Sequence, residues 1–257
     1  PKPTDTPRPA VTPTLGIGST KISPIDGATM IYVPAGEFLM GSSDADKDAR
    51  SDEKPPHNVY LDAFWIDKFE VTNGLYKKCV DAGRCQSPNS TKSYTRDSYY
   101  GNPQYDNYPV IYVSWDDANN YCTWAKRQLP TEAQWEKAAR GTDGRVYPWG
   151  NTFDKNALNS EEGGKGDTTA VGSYASGASP YGAMDMAGNV WEWVADSYDA
   201  NYYKNSPARN PKNETAWQYR ALRGGSWFDL RDFARSAMRF TNDPGSRFFN
   251  LGFRCAE

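Results

Sequence analysis

Residues 220–256, "RALRGGSWFDLRDFARSAMRFTNDPGSRFFNLGFRCA", hold six of the ten phenylalanines of the chain. Phe228, Phe233, Phe240, Phe248, Phe249 and Phe253 are interleaved there with Asp, Asn, Arg, Ser and Gly. Neither a helical nor a strand period organises them, so the stretch reads as irregular backbone studded with rings. The rest of the chain has the same character. Nine Trp, seventeen Tyr, 22 Gly and 18 Pro in 257 residues describe a loop-rich fold held by aromatic anchors rather than by long ladders. That length allows one large domain or two small ones, with room for a buried core.

A formal charge of -3 gives no electrostatic reason to expect nucleic acid or an anionic membrane as partner. No run approaches the roughly 18 apolar residues of a membrane span, and no signal peptide opens the sequence. Cys79 and Cys85 are close enough for a local bridge, while Cys122 and Cys255, if paired, would close most of the domain. An even count and no Cys/His cluster fit two disulfides and an oxidising compartment; four free cytosolic thiols are the alternative. His57, the one histidine, cannot build a zinc site and is expected to make structural hydrogen bonds.

Residues 1–21 are Pro/Thr-rich and read as a stiff linker, which implies an upstream domain or anchor; residues 22–257 form the domain. "TMIYVPAGEFLMGS" (29–42) reads as a hairpin turning around Pro34 to Glu37. The acidic loop 42–56 reads as solvated, because Ala49 and Pro55 stand where a calcium loop needs Gly and Glu. "HNVYLDAFWIDKFEVTN" (57–73) alternates like a strand. Three helices follow: one ending at Gly83, one capped by Ser114, and one opened by a Thr131–Gln134 capping box and closed at Gly141. Beyond Thr142 no helix of convincing length is visible.

Eight phrases occur together and in order: "YVPAGEFLMGS" (32–42), "EVTN" (70–73), "YPVIYVSWDDANNYC" (108–122), "LPTEAQWEKAARG" (129–141), "YPWGN" (147–151), "YGAMDMAGNVWEW" (181–193), "LRGGSW" (222–227) and "LGFRCA" (251–256). In these the chain resembles the formylglycine-generating enzyme / sulfatase-modifying-factor family from about Ile22 to Ala256. The resemblance implies a C-type-lectin-like fold, mixed α/β (α+β), with few short strands and abundant ordered loops, and a bridge from Cys122 to Cys255. It also implies two structural calcium sites. The first would use Asp185, Gly188, Val190 and Glu192, and the second Asn159, Ser160, Asp167 and Thr169, where the spacing departs from the family's. Hard oxygens in a flexible loop suit that ion.

The chain leaves the family at its chemistry. The redox cysteine pair falls on Asp229 and Ala234, which cannot form a thiolate or bind copper(I); one histidine cannot supply the iron site of related sulfoxide synthases. Neither copper nor iron is therefore expected, nor formylglycine generation. Arg223, Arg235, Arg239, Arg247 and Arg254 read as framework, tying loops by hydrogen bonds. Between them Phe228, Asp229, Leu230, Arg231, Asp232, Phe233, Met238, Phe240, Thr241, Asn242, Ser246, Phe248, Phe249 and Asn250 read as a binding surface for a protein or small-molecule ligand, against the plainer alternative that the rings fill a lost catalytic cleft. Substitutions packed between framework residues also resemble the variable proteins of diversity-generating retroelements. A recognition module outside the cytoplasm is the expectation, and an enzyme of the family with altered chemistry the alternative.

Overall fold

A computed structural model describes residues 15–44, 46–215 and 218–257. Residues 1–14, most of the expected linker, lie outside them. The first strand, β1 (Thr20–Ile22), takes up the last two linker positions. β2 (Thr29–Val33) pairs antiparallel with β1 and with β5 (Phe64–Asp67), whereas β3 (Gly36–Met40) pairs with β4 (His57–Leu61). The expected 29–42 hairpin is thus corrected: β2 and β3 follow one another in sequence but belong to different sheets. Pro34 has no N–H to give a ladder, and Gly36 at φ 144° redirects the chain rather than reversing it. The run 57–73 is broken in the same way at Asp62–Ala63, so each half meets its own partner.

The helices stand where the capping signals put them. α1 (Asn73–Asp81) starts at Thr72, whose Oγ1 accepts from Leu75 N, and stops just before Gly83 at φ 67°. α2 (Trp115–Trp124) and α3 (Glu132–Arg140) open with reciprocal boxes, Ser114 with Asp117 and Thr131 with Gln134. Each box satisfies orphan N–H groups that the helix start leaves behind.

From residue 142 the described chain forms only single 3-10 turns until β6 (Trp191–Ser197). β7 (Arg220–Arg223), β8 (Phe240–Asn242) and β9 (Leu251–Phe253) complete a sheet of order β8-β7-β6-β9, with β9 parallel to β6 in the register Trp191↔Leu251. Disulfides join Cys79 to Cys85 and Cys122 to Cys255, both pairs anticipated. The C-terminus is woven in further: Asp67 N donates to the Cys255 carbonyl, and Cys255 N to Asp67 Oδ2.

Irregular backbone needs partners for its carbonyls, and the framework arginines supply them. Arg223, Arg235, Arg239 and Arg254 are fully buried. Arg239 grips Glu132 with two donors at 2.7 and 2.9 Å and the Asp52 carbonyl with a third. Arg223 pairs with Glu132 and Glu136, and Arg247 reaches Asp117 at 2.9 Å. Arg235 holds Glu53 bidentately at 2.7 Å and Asp46 at 3.0 Å. This corrects the acidic loop, which is a counter-ion lobe and not merely solvated surface: Asp52 and Glu53 are buried. His57 Nδ1 donates to Pro55 O, its Nε2 hydrogen-bonds with Ser206 Oγ, and the ring meets Tyr203 edge-on, a structural role.

Candidate functional site

Residues 228–250 leave the sheet after β7, add its edge strand β8 at Phe240–Asn242, and lead into β9. Positions 234–239 dip into the core, all six buried, and divide the stretch into two surface arms. Between the arms lies a cavity of about 270 Å³. The sheet lines it with Trp191 (β6), Leu222 (β7), Phe240 and Asn242 (β8) and Leu251 (β9), and the arms line it with Asp229, Phe248, Phe249 and Asn250.

The rings fall into three groups. Phe253 is core. Phe240 stacks on Trp191 at 5.1 Å, and Phe233 meets both rings edge-on at 6.2 and 6.4 Å. Phe228 and Phe249 cluster with Trp227 and Tyr94, all centroids within 6.0 Å. Phe228 (51 % exposed) and Phe248 (44 %) face solvent with Leu230, while Phe233, Phe240 and Phe249 are half-buried. Such pairs add to area burial only when offset or tilted, as these are.

Met238 is a correction. It is 2 % exposed and packs in the core cluster of Trp191, Leu222 and Phe253, because it belongs to the buried passage between the arms. Arg231 is exposed, with its N–H on Glu162, and Asp232 is half-buried. Thr241 is half-buried, Ser246 Oγ donates to Asn242 Oδ1, and Asn250 Nδ2 to Ser226 Oγ. Trp191, Leu222, Trp227, Leu251 and Tyr94 were missing from the expected surface. The first four sit in phrases that read as framework, and Tyr94 comes from a loop whose sequence carries no signal toward residues 228–250.

Asp229 stands at the cavity wall where the family places a cysteine. Its Oδ2 accepts from Trp191 Nε1 at 2.9 Å and from Ser226 Oγ. Burial pushes its carboxyl up from the ordinary range. Ala234 is buried, and all four cysteines are in disulfides. No side chain here can cycle between thiolate and disulfide.

The first calcium set does not present its glutamate as an open ligand, whereas in the second the buried Asn159 Oδ1 has no hydrogen-bond partner among the described residues. Both Glu192 oxygens are taken by Arg254, at 2.6 and 2.7 Å, and one also by Trp135 Nε1. Asp185 Oδ2 accepts from Gly172 N. The N–H groups of Gly188 and Val190 pair with Gly224 O and Glu70 Oε1, bonds that do not use their carbonyls, the ligand atoms the resemblance implies. In the second set, Asp167 receives Ser93, Thr95, Thr168 and Arg96. Ser160 Oγ donates to Glu162, and Asn159 and Thr169 both donate to Asn189 Oδ1. Among the described residues no three acidic, His or Cys groups converge as metal ligands.

The framework sets a pH dependence. Asp196 is fully buried, and desolvation with the nearby Glu132 carboxylate raises it from 3.8 to about 7. The folded state therefore keeps a proton that the unfolded chain releases above pH 3.8. This stability is complete below about pH 4 and is lost as pH rises through 7. Urea midpoints should fall between pH 5.5 and 8, by the equivalent of about 1–3 kcal/mol, and Asp196→Asn should flatten the slope; midpoints that climb over this range would contradict it.

The sulfatase-modifying factor enzyme 1-like domain profile matches residues 19–257. The chain is 36 % identical over 244 residues to a serine/threonine-protein kinase pkn1 of Chlamydia caviae, covering 89 % of this chain and 38 % of that protein; it thus spans well under half the length of that relative. It is 36 % identical to the inactive C-alpha-formylglycine-generating enzyme 2 of Mus musculus, covering 89 % and 85 %. Among solved structures, PvdO from Pseudomonas aeruginosa superposes with a TM-score of 0.81 at 28 % identity, covering 95 % and 99 %. Variable protein 1 of Treponema denticola superposes at 0.75 and 25 %, covering 93 % and 98 %. The mixed α/β, C-type-lectin-like fold is shared with these structures.

Proposed function

We propose that this chain, which belongs to the family of sulfatase-modifying factor enzyme 1-like domains, is a non-enzymatic recognition module whose ligand sits on the two arms 228–233 and 240–250. The observation that carries this reading is the cavity itself. At the family's redox position it presents a carboxylate, Asp229, walled by phenylalanine rings, while every cysteine is locked in a disulfide. Affinity comes mainly from burying Phe228, Phe248 and their neighbours, at roughly 25 cal/mol per Å² of apolar area, offset by the cost of association. Asp229, Asn242 and Asn250 add direction. An inactive mammalian relative and a variable protein on the same fold support recognition as the use to which the scaffold is put. The two disulfides support a place outside the cytoplasm.

Diversification by a retroelement is part of the proposal. In the gene from independent isolates, substitutions should concentrate on the exposed arm positions. The buried passage 234–239, Arg223, Arg254 and the cysteines should stay unchanged, with a template repeat and a reverse-transcriptase gene nearby. An arm as invariant as the framework, at a locus with neither element, would overturn the diversification. Oxygen consumption with a cysteine peptide and copper(I) would overturn the non-enzymatic reading.

A further inference from the structure

Resting on the recognition reading, we infer that the cavity between the arms selects an organic cation: an ammonium, quaternary ammonium or guanidinium group such as a ligand's lysine- or arginine-type side chain presents. Asp229 is the one charged residue among those lining the cavity. Its side-chain donors are both neutral, Trp191 Nε1 and Ser226 Oγ, and both reach the same oxygen, Oδ2. The charged neighbour acting on it is another carboxylate, Asp232. Among the described residues Asp229 is in no salt bridge: Arg247 pairs with Asp117, the buried Arg235 with Glu53 and Asp46, and Arg231 is exposed with its backbone N–H on Glu162. A desolvated carboxylate without a counter-ion is costly, and a ligand cation would supply what the chain does not.

The remaining walls suit the same guest. Trp191, Phe240, Phe248 and Phe249 line the cavity, and aromatic faces attract a cation more strongly once water is excluded. Phe240 and Phe249 are half-buried and held by ring contacts, Phe240 on Trp191 and Phe249 on Trp227 and Tyr94. Their positions are fixed before a ligand arrives. An anionic guest would meet Asp229, and a neutral one would leave it unpaired.

Choline and its neutral isostere 3,3-dimethylbutan-1-ol separate the possibilities, titrated into the intact protein at low salt and followed by tryptophan fluorescence and by aromatic proton shifts. Choline is expected to bind at least tenfold more tightly than the alcohol. Asp229→Asn, which keeps an oxygen for Trp191 and Ser226, should remove that preference, bringing choline to within about twofold of the alcohol. Equal binding of the two probes by the native protein would overturn cation selection and leave the aromatic recognition surface standing. Shifts from neither probe at 100-fold the concentration of protein would overturn the cavity as a site for groups of this size, and with it the inference. The isostere pair decides the matter even where Asp229→Asn does not fold.

Discussion

Replacing Arg254 by alanine is expected to destabilise the domain by about 3–5 kcal/mol, enough to unfold most marginally stable domains of this size at 37 °C. The guanidinium is fully buried and all its donors are used. Nε and Nη2 close a bidentate pair with Glu192, and Nη1 and Nη2 reach the carbonyls of Asp67, Lys68, Met184 and Asp185. These carbonyls come from the end of β5 and from residues 184–185, which the Met184 N to Lys68 O bond also joins, so with Glu192 and its own segment the side chain ties four stretches of chain together. Its charge matters as much. Glu70 and Asp185 are buried nearby, and burial raises both, with the neighbouring carboxylates adding to the effect; Asp185 reaches about 6. With the cation gone, three carboxylates face one another without compensation. Glu70 and Asp185 would then hold their protons to a higher pH, so the deficit should be smaller at pH 5 than at pH 8. Arg254→Lys should recover little, since a point charge with three donors cannot satisfy six contacts spread around a planar fork. Denaturant midpoints of both variants at the two pH values test this. A loss independent of pH would assign the effect to the carbonyl contacts alone.

Removal of the Cys122–Cys255 bridge is expected to cost a similar amount. The two cysteines are separated by 133 residues, and the loop-closure entropy released to the unfolded chain corresponds to about 5 kcal/mol on the chain-entropy scale. Both sulfurs lie in the core between α2 and the C-terminal residues that follow β9, so a double alanine variant also loses packing. The Cys79–Cys85 bridge closes a loop of only six positions and should contribute clearly less. Comparing the two double variants in guanidinium gives the ratio; equal losses would mean that strain or residual structure, rather than loop length, sets the contribution. Because Cys255 also accepts from Asp67 N and donates to the Asp67 carboxylate, some order at the C-terminus should survive in the long-loop variant.

Much of the architecture was written in local signals. Thr72, Ser114 and Thr131 start helices because a short side-chain oxygen before an apolar period can satisfy free N–H groups, whatever surrounds it. Closeness in sequence suggested the Cys79–Cys85 bridge, while the eight ordered phrases, through the family they resemble, carried both the fold and the Cys122–Cys255 bridge. The framework arginines stood out as charges recurring between the rings of residues 223–254. The sequence was silent where meaning depends on which segments meet. The 29–42 run alternates like a hairpin, yet its halves join different sheets, since strand partners are chosen by long-range closure. The acidic loop looked solvated because its counter-ion, Arg235, lies 182 residues beyond Glu53.

The candidate site divides along the same line. By itself the sequence showed that residues 228–250 are rich in rings and, set against the family it resembles, carry Asp229 and Ala234 at the redox-cysteine positions, since residue chemistry needs no neighbours to be read. Only the tertiary structure decided which rings meet solvent. It buried Met238 with the passage 234–239, brought Tyr94 from a distant loop to Phe249, and set Asp229 against the indole of Trp191. Exposure and counter-charge are properties of what packs around a residue, and no local period encodes them.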